Sequence, residues 1–325
     1  MASLNLQSLF VLLILALASS FTPTNAQLSP DFYRNVCPQA LPIIRFVVLR
    51  AILRERRMGA SLLRLHFHDC FVNGCDGSIL LDDTPTFTGE KTALPNINSV
   101  RGFDVVDEIK AAVDKACKGP VISCADILAV AARDSVTILG GPWFNYPVLL
   151  GRRDAKSASK NAANTNLPAP FFNMPQLVAS FESHGLNLQD LVVLSGGHTI
   201  GQAHCANFRN RLYNDTDIDQ SFQATLKFTC PRTGGDTNLA PLDSTPDRVD
   251  TNYYRALIMN KGLLHSDQEL FRGDGGESDR LVKLYSENFF AFAKDFGASM
   301  IKMGNLKPLT GEEGQIRVNC RKVNS

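Results

Sequence analysis

The segment from Arg64 to Ser78 contains the residues of this chain that are best suited to chemistry. Arg64 and His68 are four positions apart, so on a helix both side chains point to the same side. A permanent cation beside a titratable base is suited to heterolytic bond cleavage. Oxygen donors follow at once in Asp69, Asp76 and Ser78, and hard oxygens suit Ca²⁺ better than a transition metal. The segment therefore predicts a catalytic helix that leads directly into an ion-binding loop.

The composition indicates a secreted, soluble protein. The 325 residues allow one large or two modest domains, and 33 Lys and Arg balance 32 Asp and Glu. With so small a net charge, the protein has no strong positive electrostatic field that would attract nucleic acid or an anionic membrane. Residues 1–26 hold an apolar run too short to span a bilayer, followed by Thr24-Asn25-Ala26. We predict a signal peptide cleaved after Ala26, a secreted product and a monomer without nucleic-acid or membrane partners.

The elements that must position these groups are predicted to be mostly helical, because no alternating apolar run is long enough for a large sheet. Helices are predicted over residues 43–57, 61–71 and 281–303, and others after the caps Ser123, Asn173 and Asn187. The helix capped by Asn187 is expected to cover residues 188–195. Three stretches rich in Pro, Gly, Asn, Thr and Asp are predicted to be irregular, namely 81–101, 140–170 and 214–250. A domain boundary is expected near residues 166–170.

A second histidine, His198, follows an apolar helix and the pair Gly196-Gly197, and Thr199 comes directly after it. Glycine pairs permit close approach of the backbone to something flat or bulky. Asp267 lies in another apolar run, where a buried carboxylate needs a partner. Two interpretations stay open at this point. His198 is either a buried histidine satisfied by backbone groups or a metal ligand whose other ring nitrogen is held by Asp267.

The cysteine pattern predicts disulfides. All eight cysteines lie after residue 26, and an even number in an oxidising compartment indicates four bridges. Spacing alone leaves about 105 pairings open, and only Cys70–Cys75 is suggested by proximity. A zinc site is the alternative for cysteines near histidines, although no pair has the CxxC spacing. The sequon Asn214-Asp215-Thr216 predicts N-glycosylation at Asn214, in a surface loop.

Several motifs together resemble the secreted plant (class III) haem peroxidases. They are the segment from Arg64 to Cys75, Cys124-Ala125-Asp126, Gly151-Arg152-Arg153-Asp154, Leu167-Pro168-Ala169-Pro170, Ser195-Gly196-Gly197-His198-Thr199 and Ser266-Asp267-Gln268-Glu269-Leu270. The resemblance covers essentially all of the chain after residue 26. It implies an all-α fold in which one haem b lies between a distal domain, 27–170, and a proximal domain, 171–325. The C-terminal tail would pack back on the distal domain.

The resemblance also implies a role for each residue of the active site. His198 would be the proximal iron ligand, and Asp267 would accept its other ring N–H. His68 would take a proton from the peroxide and return it to the outer oxygen, while Arg64 would stabilise charge on the oxygen that leaves. The supporting residues would be Asn96, which hydrogen-bonds the distal histidine, Glu90, whose carboxylate supports Asn96, and Pro168, whose carbonyl lies near the exposed haem edge where phenols donate electrons.

Two calcium ions are implied as well. Side chains of Asp69, Asp76 and Ser78 with carbonyls of Val72 and Gly74 would bind the first. The second site would comprise Thr199, Asp243, Thr245, Asp250 and the carbonyl of Arg248. Only one residue separates Asp243 from Thr245, where two are more usual. Asp243 is therefore expected to reach the ion by altered backbone geometry or not at all.

The implied disulfides are Cys37–Cys117, Cys70–Cys75, Cys124–Cys320 and Cys205–Cys230. Two further histidines receive structural roles. His204 occupies a place often held by a glutamine near a haem propionate, and we interpret it as a polar replacement. His66 lies on the other face of the helix from His68, so we expect it to be structural.

The resulting functional hypothesis is a donor:hydrogen-peroxide oxidoreductase that oxidises small phenolic donors in the cell wall space. The alternative from another class is a catalytically silent, calcium-stabilised cell-wall binding relative. Intact residues at Arg64, His68, Asn96, His198 and Asp267 argue against that alternative. A non-haem metalloenzyme using His66 and His68 would need clustered carboxylate ligands that the sequence does not place beside them.

Overall fold

The computed structural model describes residues 28–325, so the predicted signal peptide lies outside the described residues. Within them, the chain forms thirteen α-helices and one two-stranded antiparallel sheet, and the all-α prediction is confirmed. The helices are α1 (Ala40–Arg54), α2 (Met58–Cys70), α3 (Phe103–Cys117), α4 (Cys124–Gly140), α5 (Lys160–Asn166), α6 (Met174–Glu182), α7 (Leu188–Ser195), α8 (Cys205–Asn214), α9 (Gln220–Thr229), α10 (Asn252–Ile258), α11 (His265–Gln268), α12 (Glu277–Glu287) and α13 (Phe289–Gly304). The strands are β1 (Gln202–His204) and β2 (Leu239–Pro241).

Helix α4 is the centre of the first half of the molecule. It begins at Ser123, whose hydroxyl accepts a hydrogen bond from the Asp126 N–H at 3.1 Å, and most of its residues are buried. Helix α2 packs closely along it. Gly59 permits this approach, because a Cβ there would lie 2.5 Å from Cδ1 of Leu139. The catalytic segment predicted from the sequence therefore lies on a helix with a fixed position.

Helix α7 has the predicted bounds because a capping box fixes its start. Asn187 Oδ1 accepts from the Asp190 N–H at 2.9 Å, and the Asp190 carboxylate accepts from the Asn187 N–H at 3.0 Å. The helix continues directly into a 3₁₀ turn, Gly196–Thr199, which carries His198. The apolar helix thus places the second histidine at its C-terminal end.

Three of the secondary-structure predictions were wrong in part. The predicted helix over residues 281–303 is two helices, because Asn288 leaves helical geometry and its Oδ1 caps the second helix through the Ala291 N–H at 2.9 Å. The predicted irregular stretches 140–170 and 214–250 contain α5 and α9. Each of these short helices begins at a side-chain cap, Ser159 and Asp219 respectively. Both helices were missed because their sequences are rich in polar residues, which are typical of loops. Stretch 81–101 contains no helix, as predicted.

Four disulfides tie the chain together, and they join the pairs that the resemblance implies. The bridge Cys124–Cys320 connects α4 to the C-terminal tail across 196 residues. The buried guanidinium of Arg317 also donates to the Gly77 carbonyl at 2.8 Å. The tail therefore packs on the loop that follows α2. Along residues 28–325, no helix has both the length and the apolar character needed to cross a membrane.

Candidate active site

The distal part of the site is a hydrogen-bonded row of three side chains. Arg64 Nε donates to His68 Nε2 at 3.0 Å, and His68 Nδ1 lies 2.5 Å from Oδ1 of Asn96. Arginine can only donate, so Nε2 is the acceptor and Nδ1 carries the proton. Asn96 comes from the irregular stretch 81–101 and is fully buried. The row therefore fixes a neutral His68 with its basic nitrogen directed at Arg64.

Burial and charge keep His68 neutral. Desolvation and the neighbouring Arg64 cation together hold the pKa of His68 well below its usual value, against an opposing contribution from the Asn96 hydrogen bond. Burial and the nearby Arg57 cation lower the pKa of Arg64 to about 10, so Arg64 keeps its charge at neutral pH. The guanidinium is held by the Pro95 carbonyl at 2.9 Å and the Ser99 hydroxyl at 3.1 Å. No motif in the sequence indicates these two anchors.

Glu90 supports Asn96 through its main chain. Asn96 Nδ2 donates to the backbone carbonyl of Glu90 at 2.9 Å, whereas one carboxylate oxygen of Glu90 accepts weakly from the Ser159 N–H at 3.3 Å. The other carboxylate oxygen is buried without a partner among the described residues. Burial raises the pKa of Glu90 to about 7. The contact between the Glu90 carboxylate and Asn96 that the resemblance implied is therefore replaced by a backbone contact.

The proximal part of the site is centred on a buried carboxylate. Asp267 accepts from His198 Nδ1 at 2.7 Å, from the Tyr253 hydroxyl at 3.0 Å and from the Leu264 N–H at 3.0 Å. His198 Nδ1 is thereby the protonated nitrogen. Its Nε2 makes no hydrogen bond to residues 28–325, and the side chain is 42% exposed. Tyr253 was missed because no spacing in the sequence connects it to Asp267.

The turn that carries His198 packs against the helix that carries Arg64 and His68. Gly197 packs on helix α2, where an added Cβ would lie 3.4 Å from the Leu63 side chain, and Gly201 approaches Ala60 closely. The His198 turn is therefore held beside the helix that carries Arg64. His204, at the end of β1, is half-buried, and burial together with Arg57 and Arg64 lowers its pKa.

A haem iron fits the donors on the proximal side. An imidazole with one nitrogen fixed by a carboxylate and the other free is the arrangement that metal-bound histidines require. The small glycines beside His198 let its turn approach its neighbours closely, because a Cβ at Gly196 would lie 2.7 Å from the Phe292 ring. His198 could hold the iron through Nε2, and His68 and Arg64 lie on the helix across from it.

The first implied calcium site is a buried group of acids. Asp69 and Asp76 are both buried, and burial raises the pKa of each carboxyl, with their mutual repulsion adding to the effect on Asp69. The Ser78 hydroxyl is buried without a hydrogen-bond partner in the described chain. The Val72 carbonyl accepts from Asn166 at 2.9 Å and retains a second lone pair. Gly74, whose carbonyl is the remaining donor implied, has a φ of 130° in this turn. Such a set of oxygens fits Ca²⁺.

The residues implied for the second calcium site lie together, in spite of the shortened spacing. Asp243 accepts from the Thr199 hydroxyl at 3.0 Å and from the Thr245 N–H at 2.7 Å. The Arg248 carbonyl lies 3.4 Å from the Thr199 hydroxyl, which also accepts from the Asp250 N–H at 3.2 Å. Burial raises the pKa of Asp243 to about 6. Asp243 therefore contacts both Thr199 and Thr245 directly, and the Arg248 carbonyl lies next to Thr199.

The remaining candidates do not join this centre. His66, Cys70 and Cys75 lie together, but both sulfurs belong to the disulfide and cannot bind zinc as thiolates. The ring of His66 contacts Cys70 Sγ at 3.6 Å, away from the His68 row. Pro168 is half-buried in the loop after α5, and Asn214 is exposed at the end of α8.

Comparison with known proteins identifies the family. The family model described as "Peroxidase" matches residues 44–288. The chain is 70% identical to "Peroxidase RIP1" of Medicago truncatula over 98% of both chains, and 55% identical to "Peroxidase 70" of Zea mays over the full length of both. It is 54% identical to "Lignin-forming anionic peroxidase" of Nicotiana sylvestris over 98% of this chain and 96% of the relative. The chain belongs to the peroxidase family, among the class III plant peroxidases. It is a peroxidase enzyme.

Proposed function

We propose that this chain is a haem peroxidase that reduces H₂O₂ and oxidises small phenolic donors by one-electron steps. The observation that carries the proposal is the presence of two complementary sites on neighbouring elements. One is the neutral, buried base formed by Arg64, His68 and Asn96, and the other is the free Nε2 of His198 backed by Asp267. Neither site alone explains why so many polar and charged side chains are buried, which costs desolvation free energy.

When bound, haem b would supply the two electrons that reduction of H₂O₂ to water requires. His68 would then take a proton from one peroxide oxygen at Nε2 and deliver it to the other, which leaves as water. Asn96 keeps the second proton on Nδ1, so Nε2 remains the basic atom throughout. Arg64 would turn its guanidinium toward the oxygen that leaves and stabilise the negative charge that develops there.

On the proximal side, His198 would hold the haem iron and Asp267 would set its electronic character. A carboxylate that accepts the Nδ1–H makes the opposite nitrogen a more basic ligand. Tyr253 and Leu264 fix this carboxylate in place by donating to the same group.

Two calcium ions would complete the structure. The first would neutralise Asp69 and Asp76 and hold the turn next to His68, and the second would hold Thr199 next to His198. The unpartnered Ser78 hydroxyl supports the first assignment, and the convergence of Asp243 on Thr199 supports the second.

The donor class and the location belong to the same proposal. The name of the "Lignin-forming anionic peroxidase", one of the relatives, supports phenolic donors, which would reach the haem edge near Pro168. Four disulfides and the apolar residues at 9–18 support secretion to the cell wall space. The distal domain 27–170 and the proximal domain 171–325 would enclose the haem. Asn214, which is exposed, would carry a glycan.

An absorption spectrum of the purified protein tests this function. A haem peroxidase shows a Soret band that shifts when H₂O₂ is added and returns when a phenol such as guaiacol follows. A protein with no Soret band would contradict haem binding. A Soret band that H₂O₂ leaves unchanged would favour the silent, calcium-stabilised cell-wall relative instead.

A further inference from the structure

A continuous row of aromatic rings runs from the proximal site to the surface. Each ring contacts the next, with centroids between 4.9 and 5.7 Å apart. In order outward from the site, the rings are Tyr253, Tyr254, Phe292, Phe144, Phe289, Phe290 and Trp143. Aromatic pairs at these distances are in van der Waals contact.

The inner end of the row touches the proposed redox centre. The Tyr253 ring lies 6.1 Å from the His198 ring, edge to face, and its hydroxyl donates to Asp267 at 3.0 Å. An electron that leaves Tyr253 can therefore be accompanied by its proton, which moves to the carboxylate and returns with the next electron. Tyr254 follows with its hydroxyl on the Val192 carbonyl at 3.2 Å.

The outer end is the single tryptophan of the chain. Trp143 is 62% exposed and Phe290 beside it is 60% exposed, with their ring centroids 4.9 Å apart. Core packing explains Phe144, Phe292 and Tyr254, which are fully buried. It does not explain two large apolar rings left in contact with solvent at the end of the same row.

We propose that Trp143 is a second oxidation site, which takes electrons from aromatic donors too large to reach the haem edge. The inference rests on the proposed haem function, because the oxidising equivalents come from the reduction of H₂O₂ in the enzyme. Tyrosine and tryptophan lose an electron far more readily than phenylalanine. Tyr253, Tyr254 and Trp143 would therefore carry the radical in turn. The four phenylalanines of the row would bridge the gap between Tyr254 and Trp143.

The electron balance closes in each case. One electron passes from the Trp143 indole to the oxidised centre, and the indole N–H proton leaves to solvent. A phenolic donor then returns an electron and a proton to the indolyl radical and becomes a phenoxyl radical. Without a donor, Trp143 loses a second electron and adds water with release of protons. The net change is one H₂O₂ consumed, one hydroxytryptophan formed and one water released.

Peptide mass spectrometry provides the test without relying on activity. The holoenzyme is treated with H₂O₂ in the absence of donor, and oxygen addition is mapped on Trp143. Met259, which is comparably exposed at 52%, is mapped as the control for direct oxidation by H₂O₂. We expect oxygen to be added at Trp143 in the holoenzyme and not in the haem-free protein given the same H₂O₂. Equal oxidation of the haem-free protein, or an unmodified Trp143 in a holoenzyme that consumes H₂O₂, would overturn the inference.

Matched variants test the route. Tyr254→Phe keeps the ring and its packing but removes the hydroxyl that makes oxidation easy, so oxidation of Trp143 should be lost while guaiacol oxidation continues. Tyr213→Phe, outside the row, should retain both. Trp143 oxidation at the wild-type level in Tyr254→Phe would exclude this route.

A polymeric donor tests the function. Trp143→Phe should lose oxidation of soluble lignosulfonate and keep that of guaiacol, whereas equal loss or retention of both would contradict a separate site. If wild type shows no Soret response to H₂O₂, the proposed haem function itself fails and this inference falls with it. If that response is normal and Trp143 stays unmodified, only the second site is wrong.

Discussion

Arg64 donates its Nε–H to Nε2 of His68 at 3.0 Å, so the cation and the base of the distal site are in direct contact. This contact has two effects. It lowers the proton affinity of His68, because a second positive charge beside Arg64 is unfavourable. It also shows that the guanidinium reaches the basic nitrogen, which places it within reach of any oxygen that His68 deprotonates. The two residues would act on the same peroxide.

Replacement of the proximal carboxylate is expected to change the redox properties of the enzyme. Asp267→Asn removes the charge that makes His198 a basic ligand, so the Fe(III)/Fe(II) reduction potential should rise and peroxide reduction should slow by about 10–100-fold. Spectroelectrochemical titration measures the potential. Asp279→Asn is the control. Asp279 is equally buried, but among residues 28–325 it accepts hydrogen bonds only from backbone N–H groups of the Arg272–Gly275 turn. A potential that is unchanged in Asp267→Asn would refute this role.

The second calcium site makes a prediction about metal content. Asp243→Asn removes a carboxylate that converges with the Thr199 and Thr245 hydroxyls, so bound calcium should fall from two ions to one per molecule. Elemental analysis after dialysis against calcium-free buffer measures this directly. Asp247→Asn, an exposed neighbour, should keep both ions. Two ions retained in Asp243→Asn would show that the shortened spacing excludes this side chain.

The disulfides should contribute to stability in the order of the loops they close. In the chain-entropy model, a bridge across 196 residues stabilises by about 5 kcal/mol and one across 25 residues by about 3.5 kcal/mol. The double variant Cys124→Ser/Cys320→Ser should therefore have a lower midpoint of thermal unfolding than Cys205→Ser/Cys230→Ser. Calorimetry on both variants gives the comparison, and the reverse order would show that local packing outweighs chain entropy here.

His66 should make the protein less stable in acid. Burial and the Arg152 cation lower the pKa of His66 from 6.5 to about 3, so the folded state holds it neutral while the unfolded state takes up a proton. As the pH falls from 6.5 toward 3, this residue should reduce the free energy of unfolding by up to about 1.4 kcal/mol per pH unit. His66→Gln should show a shallower loss of stability over the same range. Identical pH profiles for both proteins would contradict the assignment.

Local sequence signals predicted much of the structure, and long-range contacts account for what they missed. The cap at Asn187 and the apolar run after it defined α7, because both signals act within a few residues. Asn288 divides the predicted helix over residues 281–303 into two helices. The apolar periodicity continues across Asn288 and therefore does not indicate that this residue caps a new helix. The Tyr253–Asp267 contact could not be predicted, because these two residues come together only through the tertiary fold. Their separation in the sequence does not indicate that they meet.

The stopped-flow rate of the reaction with H₂O₂, followed at the Soret band, tests the central claim most directly. His68→Ala removes the base and should lower this rate by more than the factor of about 10²–10⁴ that is typical of a general base. His66→Gln, two positions away on the same helix, should react at the wild-type rate because His66 faces Cys70. A His68→Ala variant that reacts with H₂O₂ as fast as the wild type would contradict the account.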